Sequence, residues 1–126
     1  MTSRQLKAFE RQLVEQLAML YAGVHSEIRE AMVRHLFDQD EPRDEGDESL
    51  RVQMRDARMS LAENEARRAQ EIEAALERIR QGTYGSCADC GRPIELQRLK
   101  LVPWAARCID DQTALERERQ EHPSRL

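Results

Sequence analysis

The chain has 126 residues, of which 35% are charged and only 4% aromatic. So few large apolar side chains argue against a thick globular core and suit a thin helical hairpin, in which each helix needs one apolar stripe. A net charge of −4 with both signs interspersed excludes nucleic-acid binding through a broad basic face, and no apolar run approaches the ~18 residues of a membrane span.

No sequence-specific DNA binding and no membrane association are therefore expected. The opening MTSRQLKAFERQL lacks the apolar core of a signal peptide, which predicts a cytoplasmic location. Three cysteines, an odd number, in a reducing compartment point to metal or thiol chemistry over disulfides. Apart from Lys7 and Lys100, the basic residues are all arginine, read as a habit of composition and not as a site.

In chain order, the first helix is predicted to start at Thr2 or Ser3, either of which caps it, and to run to Leu36 or Phe37. Its apolar residues Leu6, Phe9, Leu13, Leu17, Leu20, Val24, Ile28, Met32 and Leu36 step mostly by three and four. At 1.5 Å per residue such a helix is ~50 Å long. Gly23 is its one weak helix former, at about 1 kcal/mol relative to Ala. The run 38–49, DQDEPRDEGDES, holds Pro42 and Gly46 and no apolar residue, and is read as a loop. A second helix is predicted from Asp47 or Glu48 to Gln81, with Gly82 as its cap.

The two stripes match one another. In an antiparallel hairpin, residues at one height have position numbers that add to a near-constant value. The pairs Leu6 and Ile79, Phe9 and Leu76, Leu13 and Ile72, Val24 and Leu61, Ile28 and Ala57, Met32 and Met54, and Leu36 and Leu50 all obey one such register. This predicts a mainly α chain: a long antiparallel coiled-coil hairpin over 1–81, with an acidic tip about 38–49, and a zinc-finger-like base with a short C-terminal helix over 82–126. A closed register also predicts a monomer. The less apolar level Asn64 to Arg68 is expected to be the softer part of the rod.

The base carries the chemistry. Cys87 and Cys90 form a CxxC knuckle, Gly91 follows to allow a sharp turn, and Cys108 comes after seventeen intervening residues. Two residues between ligands place both sulfurs on one side of a turn, within ~2.3 Å of a shared metal, and the later corner completes the spacing of a four-ligand zinc site. Asp111 stands where a fourth cysteine is expected. Carboxylate is a legitimate zinc ligand, although structural sites prefer sulfur and imidazole. Three readings of the cluster stand: zinc held by Cys87, Cys90, Cys108 and Asp111 (with Asp110 or a water as substitutes for the last), a metal-free finger held by packing, and a thiol redox switch. His25, His35 and His122 have no nearby ligand pair and are read as surface or seam residues. From Ile109, IDDQTALERERQEH reads as a helix ended by Pro123.

These residues also carry a family resemblance. GTYG-x-C-x2-CG, Ile94, Arg98-Leu99, Pro103 and the second corner followed by Gln112 resemble the DksA/TraR zinc-finger family, and the helices and acidic segment fit it over most of the chain. The resemblance implies a bacterial, non-enzymatic transcription regulator that binds RNA polymerase directly through its secondary channel. It also implies a DxxDxA motif at the rod tip, matched here by Asp44, Asp47 and Ser49 in place of the alanine. On that reading the two acids modulate promoter open complexes; without it they are a solvated tip. In members that respond to the stringent-response alarmone guanosine tetraphosphate, basic residues help to hold the ligand. The matching positions here are Glu71, Val102 and Gln112, none of them basic, so little direct dependence on the nucleotide is expected.

Nothing in the chain pairs a nucleophile with a base or forms a phosphate-binding glycine loop, so no enzyme is expected. Two other functions compete: a thiol- or zinc-responsive regulator working through the cysteines, and a coiled-coil interaction protein without a polymerase role.

Overall fold

The computed structural model describes residues 1–24, 26–37 and 45–121, with backbone alone for 35–37 and 45–47. The chain is mainly helical, and its helical hairpin is built from four helices: α1 (Ser3–Tyr21), α2 (Ser26–Phe37), α3 (Glu45–Met59) and α4 (Glu63–Gln81). A small base with α5 (Leu96–Leu101) and α6 (Ile109–Glu121) follows.

α1 starts as its sequence dictates. Thr2 caps it, with Oγ1 accepting from the Gln5 N–H at 3.1 Å while the Thr2 N–H donates to Gln5 Oε1 at 2.9 Å, a reciprocal capping box. The opposite arm ends equally clearly. Gly82 takes a left-handed φ of 79°, its N–H reaches Ile79 O at 3.2 Å, and Thr83 N–H reaches Arg78 O at 2.9 Å.

The tip loop expected over 38–49 is shorter, since 45–49 are already helical in α3, and the expectation of two unbroken arms is also corrected. The first arm turns after Tyr21, where Val24 N–H bonds to Tyr21 O at 3.0 Å around Gly23, the weak helix former. The second arm breaks at 60–62, and not at the softer level Asn64 to Arg68. Ser60 Oγ donates back to Asp56 O at 3.4 Å, a local competitor of the helical ladder, and Ala62 is extended before α4 resumes. Glu63 and Glu65 in the first turn of α4 stand in for a side-chain cap by complementing the helix dipole.

The antiparallel relation survives these breaks, with α1 packed on α4 and α2 packed on α3. The single ~50 Å rod does not, because the outer pair lies back along the inner pair. α1 also packs on α2, and α3 on α4. Arg58 and Glu73 lie fifteen positions apart on what a straight arm would make one helix, ~22 Å of rise, yet Arg58 Nη1 sits 2.8 Å from Glu73 Oε2. Tyr21 Oη donates to that carboxylate oxygen at 3.3 Å and to Met54 O at 3.4 Å. The result is an up-down-up-down four-helix arrangement. Its core is built by Leu13, Val14, Leu17 and Tyr21 of α1, Ile28 and Met32 of α2, Ala57 of α3, and Ala69, Ile72 and Ala75 of α4. Small residues on α4 let α1 approach closely, while α3 and α4 flank a half-open cavity of about 300 Å³ floored by Leu17, Met32, Leu50, Met54 and Leu76 and rimmed by charged side chains.

Candidate functional site

The base is clamped to the inner half of the hairpin by side chains that sequence periodicity cannot reveal. The ring of Tyr84 lies 5.8 Å from that of Phe9 on α1, and its hydroxyl donates to Pro103 O at 2.8 Å in a buried site. Burial pushes the Tyr84 phenol up to about 12, so it stays a donor throughout the physiological range. Arg78 of α4 reaches Trp104 O at 3.3 Å and Ala105 O at 3.5 Å, and the Arg68 guanidinium sits 3.9 Å from the Trp104 ring centroid. Leu99 of α5 is fully buried and, with Ile94 and Ala105, belongs to the core. α5 was not expected from sequence, although LQRLKL ending before Pro103 is a helical signal in hindsight.

On this platform the ligand residues converge. Cys87 N–H bonds to Arg92 O at 2.8 Å, Gly91 N–H to Cys87 O at 3.0 Å, and Gly91 adopts φ 75°, closing the CxxC knuckle. A lone bridge between Ser86 and Pro93 spans its neck. Ala88 N–H reaches across to Ala106 O at 2.8 Å, tying this knuckle to the second corner. There Cys108 precedes α6, whose Gln112 N–H bonds back to Cys108 O at 2.9 Å and so turns Asp111 inward on the first helical turn.

One atom each of Cys87, Cys90, Cys108 and Asp111 lies within 4.8 Å of every other. Cys90 and Cys108 sulfurs are 4.0 Å apart and Cys87 Sγ is 3.0 Å from Asp111 Oδ2. Sulfurs bound tetrahedrally to one zinc at ~2.3 Å lie roughly 3.8 Å apart, so this donor set fits the ion. Hydrogen bonds from Cys87 first, then Cys90 and Cys108, hold the Asp111 carboxyl below the usual carboxylate range, the ionised form a metal requires. Asp110 belongs instead to an outer groove with Cys108 and Ile109 and does not join the cluster. Around the metal cluster, Arg107 Nε holds Asp89 Oδ2 at 2.7 Å and Arg98 Nε holds Arg107 O at 2.9 Å.

The other expected positions divide. Glu71, Val102 and Gln112 come together, as half-buried lining of a cavity of about 540 Å³ between α4, the base and α6. Sequence reasoning missed that Arg67, Arg78, Arg98, Arg107 and Arg119 line the same cavity. Four of these guanidiniums already have partners: Arg78 and Arg98 on carbonyls, Arg107 on Asp89, and Arg67 more loosely on Glu63 at 3.7 Å. The signal for them was arginine abundance, which alone says nothing of convergence. Of the tip residues, Ser49 is exposed on α3, Asp47 lies on the backbone of the same helix, and Asp44 falls outside the described residues with the rest of 38–44. His25 and His122 also fall outside them, as does the side chain of His35. Among the described residues no helix is long and apolar enough to cross a membrane.

Comparison with known proteins places this arrangement among relatives. Residues 82–117 match the family described as the prokaryotic dksA/traR C4-type zinc finger, from which this chain departs by Asp111. The RNA polymerase-binding transcription factor DksA of Haemophilus influenzae is 30% identical over 116 residues, covering 91% of this chain and 72% of that protein. Its namesake in Caulobacter vibrioides is 29% identical over 125 residues, covering 97% and 83%. An uncharacterised protein of Aquifex aeolicus is 37% identical over 78 residues, 62% of this chain and 54% of that one. The solved structure of transcription factor DksA2 from Pseudomonas aeruginosa superposes with a TM-score of 0.59 at 28% identity, covering 94% of this chain and 88% of that one.

Proposed function

The chain belongs to the DksA/TraR family, and from that premise we propose that it is a cytoplasmic, monomeric, non-enzymatic regulator that binds RNA polymerase directly. Zinc is the cofactor of its finger. In this reading the base (82–126), with zinc held by Cys87, Cys90, Cys108 and Asp111, is the docking platform. The hairpin (1–81) enters the secondary channel and carries Asp44, Asp47 and Ser49 towards the active centre, where they alter the lifetime of promoter open complexes. In a narrow channel, screened less than bulk water, two carboxylates act strongly on basic or metal-linked groups. The observation that carries the proposal is the match to the Haemophilus influenzae factor, which spans most of both chains and so includes hairpin and finger alike.

Direct dependence on guanosine tetraphosphate is expected to be small. Glu71 opposes a polyphosphate in the cavity it shares with Val102 and Gln112, and four of the five arginines there already have partners within the fold. The deciding experiment is open-complex lifetime on a stable-RNA promoter, with wild type and with an Asp44→Asn/Asp47→Asn variant that retains polymerase binding. The wild type should shorten or lengthen the lifetime and the variant should not. Failure of the wild type to bind polymerase would sink the proposal.

A second reading has one observation in its favour. Cys90 is exposed, and its sulfur lies 4.0 Å from that of Cys108, so an oxidant has access to a neighbouring thiol pair. A thiol-responsive regulator would lose activity and zinc together under mild peroxide.

A further inference from the structure

We infer that the hairpin is a jackknife: in the free protein it is closed, in a seating specified by Arg58, Glu73 and Tyr21, and it opens about its two breaks to present the α2–α3 end. The role of opening rests on the polymerase reading above; the closed state and its latch do not.

The breaks are the first argument. In the register that pairs Leu6 with Ile79 and Leu13 with Ile72, Val24 faces Leu61. In that sequence register the turn at 22–24 and the turn at 60–62 interrupt both arms of the hairpin at one height. Interruptions at different heights would make two unrelated kinks, whereas two at one height make a hinge across the whole rod.

The apolar stripe is the second. Residues of α2 and α3 have two possible sets of partners. The sequence register pairs Ile28 with Ala57 and Met32 with Met54 across the outer half itself, and that pairing is equally available to an extended rod. In the closed form Met32, Leu50 and Met54 face Leu17 and Leu76 of the inner half as well. That second contact is incomplete, since these side chains line a cavity of about 300 Å³ and forgo part of their dispersion contacts. The outer half thus gives Ile28, Met32 and Ala57 to the shared core but leaves Leu50 and Met54 incompletely covered.

The third argument is the polar cluster, which exists only when the hairpin is closed. Arg58 is bonded to Glu73 at 2.8 Å, and Tyr21 bonds to the same carboxylate at 3.3 Å and to Met54 O at 3.4 Å. Burial of Glu73 pushes its carboxyl up, offset by the hydrogen bond and charge of Arg58. A half-buried ion pair adds little net stability but strongly penalises any arrangement that leaves one partner behind, which suits it to specify one seating of α3 on α4. On opening, all three polar groups regain water, so the cluster adds only modestly to the cost of uncovering Leu17, Tyr21 and Met32. Closure also moves the business end. Leu50 and Arg51 near the start of α3 share the cavity with Arg80 at the end of α4, so the first turns of α3 lie beside the base. Those turns are thereby withheld until the hinge opens.

The test places fluorophores at ketone-bearing residues introduced at the exposed positions Gln53 of α3 and Gln81 of α4, leaving the native cysteines untouched. Closed, these positions lie on adjacent helices, roughly 10–15 Å apart; with α3 and α4 collinear they are roughly 40 Å apart. The wild-type protein alone should give the short distance. Glu73→Arg, which sets two cations face to face, should give the long one with helix content unchanged by circular dichroism. The exchanged pair Arg58→Glu/Glu73→Arg should restore the short one. A long distance in the free wild type, or a short one in Glu73→Arg, overturns the inference. Adding core RNA polymerase to the wild type should convert short to long; a bound protein that stays short overturns the role of opening. A protein that opens on charge reversal yet binds no polymerase supports the latch and sinks the polymerase reading alone.

Discussion

The inner half of the hairpin and the outer half are made from the same kind of sequence, and the structure treats them differently. α1 and α4 meet through Leu13, Val14, Leu17, Ala69, Ile72 and Ala75, all fully buried, and the base is fastened to them by Tyr84, Arg78 and the stacked pair of Arg68 and Trp104. α2 and α3 contribute Ile28, Met32 and Ala57 to the core, but leave Leu50 and Met54 half-buried beside a half-open cavity. An apolar stripe establishes that a helix will pack. How tightly it packs depends on the size of the facing residues and on what else holds the pair in place. Alanines on α4 and an anchored base make the inner half dense; the outer half has an ion pair and a cavity.

The largest expected effect falls on the metal centre of the base. Asp111→Ala should weaken zinc binding by roughly 10–100-fold or more, while Asp110→Ala leaves it unchanged and Asp111→Cys tightens it, all measured by competition with a chromogenic chelator. Equal losses in the two alanine variants would remove Asp111 from the ligand set. Next come the two cores. Leu13→Ala should cost about 2–5 kcal/mol in urea unfolding, whereas Leu50→Ala, beside the cavity, should cost about 1 kcal/mol or less. Comparable costs would show that the outer half is as firmly seated as the inner.

Smaller effects probe the hinge. Gly23 has nothing within 4 Å of an added Cβ, so Gly23→Ala is sterically free and raises helix propensity across the break by about 1 kcal/mol. The extended population of the doubly labelled protein should rise about fivefold. The smallest effect is that of pH. Burial raises the Glu73 carboxyl above its value in water, so the closed state binds its proton more readily than an open state does. The contribution of Glu73 to closure is therefore present at low pH and fades as pH rises through the closed-state value. Lowering pH from neutrality towards 5 should shift the labelled protein slightly towards the short distance, and Glu73→Gln should abolish that slope.

Much of this was legible in the sequence because it is local or periodic. The zinc knuckle follows from two cysteines and a glycine within five residues, the cap at Gly82 from one residue, and the antiparallel register from the spacing of leucines and isoleucines. The break at 60–62 was not legible, since Leu61 and Ala62 are good helix formers and the competing bond from Ser60 is a weak signal. Nor was the fold-back: Arg58 and Glu73 look like two ordinary charges on one helix until the chain turns between them. The arginine-lined cavity was hidden for the same reason, because it draws residues from α4, the base and α6 that share no pattern along the chain.

Trp104 is the one tryptophan of the chain, and its ring lies under the Arg68 guanidinium where the base meets α4. A single indole held against a cation at the seam between two parts of a molecule is a native optical probe. Its emission should shift when the base detaches and stay constant when only the outer helices swing away. The intrinsic fluorescence of the unlabelled protein therefore separates loss of the finger from opening of the hairpin, two events that light scattering or helix content would merge.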